Sequence, residues 1–278
     1  MLQNRVVGIA GQPSDTDLLK AIALYLVSDF SKYFQFFFSP EWGVSTSTST
    51  TKTLRMLPLP FAKMKDNDIS EWAALHARIV QAARNERDSV TPLFGEDQTG
   101  AASLAQLIDE LNDTVFRALH LRGFERALVR DLVHLRLQLI QGKVSKEAVG
   151  SPSNKELRRY AEVVTDELDA FVDDHPSLKH STTVVQNGRS AIVAIRVHES
   201  ARPKRRVHVE AASSAAAAQL ASIRSRIREK HSQWIYFERN LRLYEGRNTY
   251  VFKPLQRLHW TESQAILDAG TIIAETLG

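Results

Sequence analysis

The 278-residue chain contains no cysteine. This absence excludes a disulfide framework, a thiolate nucleophile and any zinc or iron–sulfur site built on cysteine. It fits a reducing cytoplasm, and we expect a cytoplasmic protein. Hydrophobic residues make up 43% and charged residues 24% of the chain, which are the proportions of an ordinary soluble globular protein.

The sequence also lacks a hydrophobic run that could cross a membrane. The most apolar stretch, residues 18–38, is interrupted by Lys20, Asp29 and Lys32, whereas a spanning helix needs about 20 nearly uncharged residues. Its apolar residues recur at helical spacing, so we expect a buried helix and no membrane partner. The N-terminal residues show no basic start followed by an apolar core, as a secretory signal would.

No motif for catalysis or metal binding is present. The chain lacks a P-loop, a GxGxxG motif and an HExxH motif, and its carboxylates are not spaced as metal ligands. The nine histidines are scattered, and no Ser/His/Asp set can be assembled from their spacing. We therefore expect no catalytic residue, no metal ion and no cofactor on this chain, and a protein that is not an enzyme.

The apolar periodicity predicts an α+β fold with a helix-rich N-terminal part. A short strand is expected at 5–10, followed by helices over about 14–38, 68–87, 103–119 and 121–139. The last helix carries an apolar stripe at spacings of three and four, which we interpret as core. The stripe consists of Leu121, Phe124, Leu128, Leu132, Leu135 and Leu139.

Beyond a loop at Val144 the pattern changes to a smaller domain with β-hairpins. A period of two after a helix at 156–172 predicts one hairpin that turns at Gly188 and another that turns at Gly246. A further strand and a helix at 213–230 are expected between the hairpins, and a helix at 260–277 ends the chain. The predicted parts are a helix-rich recognition-like domain, a helix with a β-hairpin and a basic C-terminal module, at 1–145, 146–200 and 201–278.

A run of hydroxyl side chains follows the most aromatic predicted helix. All seven residues from Ser45 to Thr51 are serine or threonine. One interpretation is a solvated loop, because these residues favour turns and caps. The other is a surface that contacts DNA, because hydroxyl groups hydrogen-bond phosphate oxygens, and Lys52 and Arg55 add positive charge at the edge of the run.

The positive charge of the chain is concentrated near its C-terminus. The net charge is only +4, but residues 201–260 contain 13 lysines and arginines against 4 acidic residues, a net of +9. Residues 101–175 contain 10 against 13, a net of −3. A concentrated basic block is a candidate footprint for phosphate; the alternative is a solvated basic face without a ligand.

Three blocks together resemble one family. Residues 18–61 contain a Leu-rich helix, a Trp42-Gly43 loop and a Leu-Pro exit, and 110–143 read as a helix pair. These blocks, with 234–275, resemble the C-terminal target-recognition half of N6-adenine DNA methyltransferases of restriction–modification systems. The catalytic half of that family carries a glycine-rich cofactor motif and an Asn/Asp-Pro-Pro-Tyr/Phe motif, and neither occurs here.

The resemblance implies a non-catalytic DNA-recognition subunit of a split adenine-specific methyltransferase, in restriction–modification or anti-phage defence. The chain starts where the recognition half of the family would begin, which favours a split system. Its expected partners are double-stranded DNA and a methyltransferase catalytic subunit, which would hold S-adenosylmethionine. The alternative is a protein-interaction scaffold of a defence complex.

The candidate DNA-binding residues combine the hydroxyl run, the cations at its edge and part of the basic block. They are Ser45, Thr46, Ser47, Thr48, Lys52, Arg55, Lys204, Arg205, Arg206, Arg224 and Arg228. We expect changes in the loop at 39–55 to alter sequence specificity. Changes in the basic block should weaken binding to all sequences.

Overall fold

A computed structural model describes residues 9–40, 49–88, 103–143, 145–175, 177–199, 205–211, 222, 225 and 241–277. Its helices within these ranges are α1 (Thr16–Val27), α2 (Asp29–Phe38), α3 (Thr51–Met56), α4 (Asp66–Asp88), α5 (Leu104–Ala118), α6 (Gly123–Asp131), α7 (Leu137–Ile140), α8 (Lys146–Val149), α9 (Asn154–Phe171) and α10 (Glu262–Leu277). The strands are β1 (Lys179–Asn187), β2 (Ser190–His198), β3 (Val207–Ala211), β4 (Leu241–Glu245) and β5 (Asn248–Pro254). The predicted α+β class is confirmed.

The chain forms two compact units. Unit 1 comprises Met1–Val133 and Ile140–Gly142, and unit 2 comprises His134–Leu139 and Lys143–Gly278. Helices α1 to α6 belong to unit 1, and the sheet belongs to unit 2. The ranges 146–200 and 201–278 contribute strands to this same sheet, β1 and β2 from the first and β3 to β5 from the second.

The single helix predicted over 14–38 is two helices, because the chain is extended at Ser28 (φ −64°, ψ 159°). The Ser28 hydroxyl donates to the Tyr25 carbonyl at 2.7 Å. The same oxygen accepts from the Ser31 amide at 3.3 Å, so Ser28 caps α2. The helices predicted at 68–87 and 103–119 are confirmed as α4 and α5.

The core of unit 1 lies between α1, α4 and α5. Tyr25, Leu111 and Val115 are fully buried, and Trp72 packs with them. The Tyr25 hydroxyl donates to the Pro58 carbonyl at 2.7 Å, which fixes the Leu-Pro segment against α1. Burial raises the pKa of the Tyr25 hydroxyl.

The apolar stripe predicted as core at 121–139 is only partly buried. Leu132 is buried, but Phe124 and Leu128 are 39% and 38% exposed. Helix α6 instead buries Ala127 and Val129. A π-helical turn at Leu132–Arg136 follows α6. Its wider winding shifts the helical phase, so Leu135 and Leu139 no longer continue the face of α6 that carries Phe124 and Leu128.

Unit 2 is built on a five-stranded sheet in the order β3-β1-β2-β5-β4. Strands β1 and β3 are parallel, and the other neighbours are antiparallel. Both predicted hairpins are confirmed, β1–β2 and β4–β5. Their turns place Gly188 at φ 59° and Gly246 at φ 58°, which a residue without a Cβ adopts at no steric cost.

Strand alternation gives the sheet two different faces. Helices α9 and α10 cover the first face, where Val184, Val193 and Val251 pack with Tyr160 and Ala265. The second face carries a smaller apolar cluster made of Ile192 and Leu243 with Val185, Leu241, Tyr250 and Phe252. The predicted C-terminal helix is confirmed as α10, and the Thr261 hydroxyl accepts from the Gln264 amide at 3.2 Å as its cap.

Two predicted elements fall mainly outside the described ranges. Of the strand predicted at 5–10, only Ile9 and Ala10 are described, and neither is in a strand. The helix predicted at 213–230 lies outside them except for Ser222 and Ser225. Within the described ranges, no helix has the length and apolar character needed to span a bilayer.

Candidate nucleic-acid interface

Helix α2 is held in unit 1 by a reciprocal pair of hydrogen bonds at its first residue. The Asp29 amide donates to Asn112 Oδ1 at 2.9 Å, and Asn112 Nδ2 donates to Asp29 Oδ2 at 2.8 Å. Both residues are buried, and a buried, satisfied polar pair permits few alternative arrangements. The orientation of α2 on α5 is therefore fixed, and so is the direction of its exposed residues.

The end of the hydroxyl run has a structural role. Ser49 donates to the side-chain oxygen of Gln35 on α2. The Thr50 hydroxyl accepts from the Thr53 amide at 3.1 Å and caps α3. The buried Thr53 donates to the Phe38 carbonyl at 3.4 Å. These hydroxyls join α3 to α2, which agrees with the capping interpretation for this part of the run.

The two cations next to the run are available on the surface of α3. Lys52 and Arg55 are both exposed, and their spacing of three puts them on one side of the helix. Within the described ranges, no carboxylate forms an ion pair with either one. The candidate residues Ser45, Thr46, Ser47 and Thr48 lie outside the described residues.

Exposed aromatic rings lie on the neighbouring helix α2. Phe37 and Phe38 are 58% and 53% exposed. The Phe37 ring lies 4.9 Å from that of Tyr33 and 5.1 Å from that of Phe36. Rings and cations on adjacent elements suit a polymer of stacked bases and phosphates. The buried helix predicted for 18–38 is wrong at this end, because the last six residues of α2 include five aromatic ones, which cannot all be buried on one side.

In the basic block, the described candidates Arg205 and Arg206 have different surroundings. Arg205 is exposed, and no described carboxylate pairs with it. Arg206 donates to Asp169 at 2.8 Å and lies 2.7 Å from Asp166, both on α9. Lys204, Arg224 and Arg228 lie outside the described residues.

The remaining described cations of 201–260 also have carboxylate partners. Arg242 binds Glu275 through two hydrogen bonds of 2.9 and 2.7 Å. Arg247 lies 2.6 Å from Glu199. Arg257 Nε lies 2.9 Å from Glu156 Oε1, although the two atoms are not aligned for a hydrogen bond. Lys253 pairs with Asp268.

Lys253 is fully buried between the sheet and α10. Its ammonium group contacts the Asp268 carboxylate, lies 3.1 Å from the Tyr160 hydroxyl and lies 4.3 Å from the centre of the Tyr160 ring. The Tyr160 hydroxyl donates to Asp268 at 2.5 Å. Burial lowers the pKa of Lys253 to about 8, even though Asp268 favours the charged form.

A second polar cluster connects α9 to the sheet. The Asp169 carboxylate accepts from the His180 amide at 2.8 Å and contacts the His180 ring at 2.9 Å, in addition to Arg206. Burial favours the neutral acid, but the hydrogen bonds from His180 and Arg206 outweigh it and lower the pKa of Asp169 below its usual value.

The sequence therefore indicated the positive charge of the basic block but not the acidic residues that pair with it.

The described residues contain no group of three or more acidic residues and histidines placed to hold a metal ion. Comparisons of the chain with protein-family models, curated proteins and solved structures give no match.

Proposed function

We propose that the chain is the non-catalytic DNA-recognition subunit of a split adenine-specific DNA methyltransferase, in a restriction–modification or anti-phage defence system. Residues 18–61, 110–143 and 234–275 support the family through their resemblance to its target-recognition half. The missing cofactor and Asn/Asp-Pro-Pro-Tyr/Phe motifs support a role without catalysis. A partner methyltransferase subunit would hold S-adenosylmethionine and the reacting adenine.

One observation carries the DNA-binding part of the proposal. Lys52 and Arg55 are exposed on one side of α3 without a described carboxylate partner, next to the exposed rings of α2. An unpaired surface cation can displace counterions from phosphate, which drives binding to DNA. Aromatic rings beside such cations can contact bases or sugars. We name this set of residues the α2–α3 surface: Tyr33, Phe36, Phe37, Phe38, Lys52 and Arg55.

The test is a salt titration of the full chain on a fluorescent duplex. We expect the Lys52→Gln/Arg55→Gln variant to reduce the slope of log affinity against log salt by about two, because two phosphate contacts are lost. Lys65→Gln/Arg84→Gln is the matched control, since it removes the same charge from exposed positions at and near α4. A wild-type chain that ignores duplex DNA at low ionic strength would refute the DNA-binding proposal.

The partner is tested separately, by purifying the chain together with the products of its neighbouring genes and looking for a methyltransferase catalytic subunit among them. We expect the two to purify together without DNA. We also expect methyl transfer to adenine to require both. Methyl transfer by the isolated chain would contradict the proposed division of labour.

The alternative function, a protein-interaction scaffold of a defence complex, is favoured by one observation. Phe124 and Leu128 are 39% and 38% exposed on neighbouring turns of α6. Exposed large apolar side chains on one helix face are typical of protein contact surfaces. A scaffold would keep its protein partner at high salt and show no salt-dependent affinity for duplex DNA, which separates the two functions.

A further inference from the structure

The second face of the sheet in unit 2 changes character along its strands. Its apolar cluster is centred on Ile192 and Leu243. At the end of β1 and β2 that is far from the Gly188 turn, the same face carries polar side chains. There Lys179 pairs with His198, and Ser181 pairs with Arg196, across the two strands. We name this polar half the sheet patch: Lys179, Ser181, Thr183, Arg196, His198 and His208.

Strand alternation places the six residues of the sheet patch on one face. The intervening residues of β1, His180 and Thr182, contact α9 on the opposite face. On β2 the alternation is the same, since Ile195 belongs to the core under the helices. His208 lies opposite Thr183 on β3, the edge strand parallel to β1. The patch therefore spans three neighbouring strands.

The two cations of the sheet patch are accessible and unpaired. Arg196 is exposed and Lys179 is partly exposed, and within the described ranges neither forms an ion pair with a carboxylate. They are diagonal neighbours on adjacent strands, which corresponds to a separation of about 7–8 Å. This distinguishes them from the paired cations of 201–260.

The acidic residues near the sheet patch already have partners. Glu210 lies 3.2 Å from His208, and Glu199 lies 2.6 Å from Arg247. Glu245 is on β4, which is separated from β2 by β5. The Ser181 hydroxyl and His198 Nε2 are hydrogen-bonded at 2.8 Å. The patch thus combines unpaired positive charge with hydroxyl and imidazole groups that can hydrogen-bond phosphate oxygens.

We propose that the sheet patch is a second contact for the phosphate backbone of duplex DNA, separate from the α2–α3 surface. This inference rests on the proposed function, because it adds a contact to the same DNA-binding role. The composition favours DNA over a protein partner, since the six residues include no large apolar or aromatic anchor of the kind found at the centre of protein interfaces. Polar, positively charged surfaces are typical of protein–DNA interfaces.

The cations proposed to contact DNA in unit 2 therefore lie outside the basic block of 201–260. Arg206 is engaged by Asp166 and Asp169 on α9, whereas Lys179 and Arg196 lie in segments that the charge count did not single out. Backbone contacts of this kind position a protein on DNA without reading its sequence. Removing them should weaken binding to all duplexes equally.

The test compares two charge-matched variants of the full chain on duplexes of random sequence. Lys179→Gln/Arg196→Gln removes two cations from the sheet patch and retains polar side chains. Lys155→Gln/Arg158→Gln is the control, because it removes two exposed cations from α9, which covers the first face of the sheet. Urea unfolding of both variants checks that each one folds.

We expect the sheet-patch variant to bind DNA about tenfold more weakly at low salt, with a salt slope reduced by about two. The α9 control should change affinity by less than about twofold. Equal losses in both variants, an unchanged sheet-patch variant, or tighter binding of single-stranded RNA than of the duplex would overturn the inference.

The Lys52→Gln/Arg55→Gln variant distinguishes a failure of the sheet-patch inference from a failure of the proposed function. If Lys52→Gln/Arg55→Gln weakens binding and Lys179→Gln/Arg196→Gln does not, the sheet-patch inference is refuted and the proposed function stands. If the wild-type chain does not bind duplex DNA at low ionic strength, the proposed function itself is refuted. A sheet-patch variant that fails to unfold cooperatively is replaced by the single variant Arg196→Gln, for which we expect a salt slope reduced by about one.

Discussion

The cations of α3 in unit 1 and those of the basic block in unit 2 have different surroundings. Lys52 and Arg55 are exposed without a described carboxylate partner, whereas five of the six described lysines and arginines of 201–260 pair with acidic residues of the same unit. These five are Arg206, Arg242, Arg247, Lys253 and Arg257. Among the described residues, the cations of the basic block are thus mostly paired and those of α3 are not, so net charge along the sequence does not show which charges are paired.

The cations of the two units differ in their pairing because two helices of unit 2 place acidic residues beside its cations. Helices α9 and α10 supply Asp166, Asp169, Asp268 and Glu275 to cations of the strands and of the segment before β3. A charged side chain placed between a sheet and its covering helices must be paired, because an isolated buried charge is strongly unfavourable. In unit 2 the described cations that are paired in this way therefore stabilise the fold.

The largest expected effect concerns the buried pair. Replacing Asp268 with Ala leaves the fully buried Lys253 ammonium without its carboxylate, so we expect the free energy of unfolding to fall by about 3–5 kcal/mol. Urea denaturation followed by circular dichroism measures this loss. The double variant Lys253→Met/Asp268→Leu is the control and should be much closer to wild type, since it removes both charges together. A single variant as stable as wild type would contradict the structural role.

A smaller effect separates the adjacent arginines. Arg206→Ala removes two ion pairs at a half-exposed site, so we expect it to destabilise unit 2 by about 1 kcal/mol. Arg205→Ala removes an exposed side chain without a described partner and should stay within about 0.5 kcal/mol of wild type. The same urea experiment compares them. Equal destabilisation by both variants would mean that the paired and the unpaired arginine contribute equally to the stability of unit 2.

The smallest effect is the dependence of stability on acidic pH that comes from Asp169 and its contacts with His180 and Arg206. The pKa of Asp169 in the folded protein is lower than its ordinary value of 3.8, so its ionised form stabilises the fold fully above that value. This contribution is lost as the pH falls through the lower pKa of the folded state. We expect thermal melts below about pH 4 to show a shallower loss of stability in Asp169→Asn than in wild type. Parallel pH profiles would exclude this role of Asp169.

Much of the fold could be predicted from the sequence, because turns and helix ends depend mainly on residues that are close together in the chain. The hairpins follow from a period of two and from Gly188 and Gly246, which adopt positive φ in the turns. The start of α10 follows from the Thr261 cap. The break at Ser28 was missed, since it also depends on a contact between Asp29 and Asn112, which are 83 positions apart.

The candidate site was less predictable than the fold. The sequence placed Lys52 and Arg55 beside a hydroxyl run, and both are exposed. It also predicted a buried stripe on α6, yet Phe124 and Leu128 are exposed because Ala127 and Val129 face inward. Periodicity identifies an amphipathic helix, but when several faces contain apolar residues it does not decide which one is buried.

The amino-acid sequence by itself determined the fold class, both hairpins, the cap of α10 and the absence of familiar catalytic motifs, since these depend on residues close together in the chain. Tertiary structure decided which charges are free. Arg206 and Asp169 are 37 positions apart, and Arg242 and Glu275 are 33 apart. Charge pairing depends on distances in space, and packing α9 and α10 onto the sheet sets those distances.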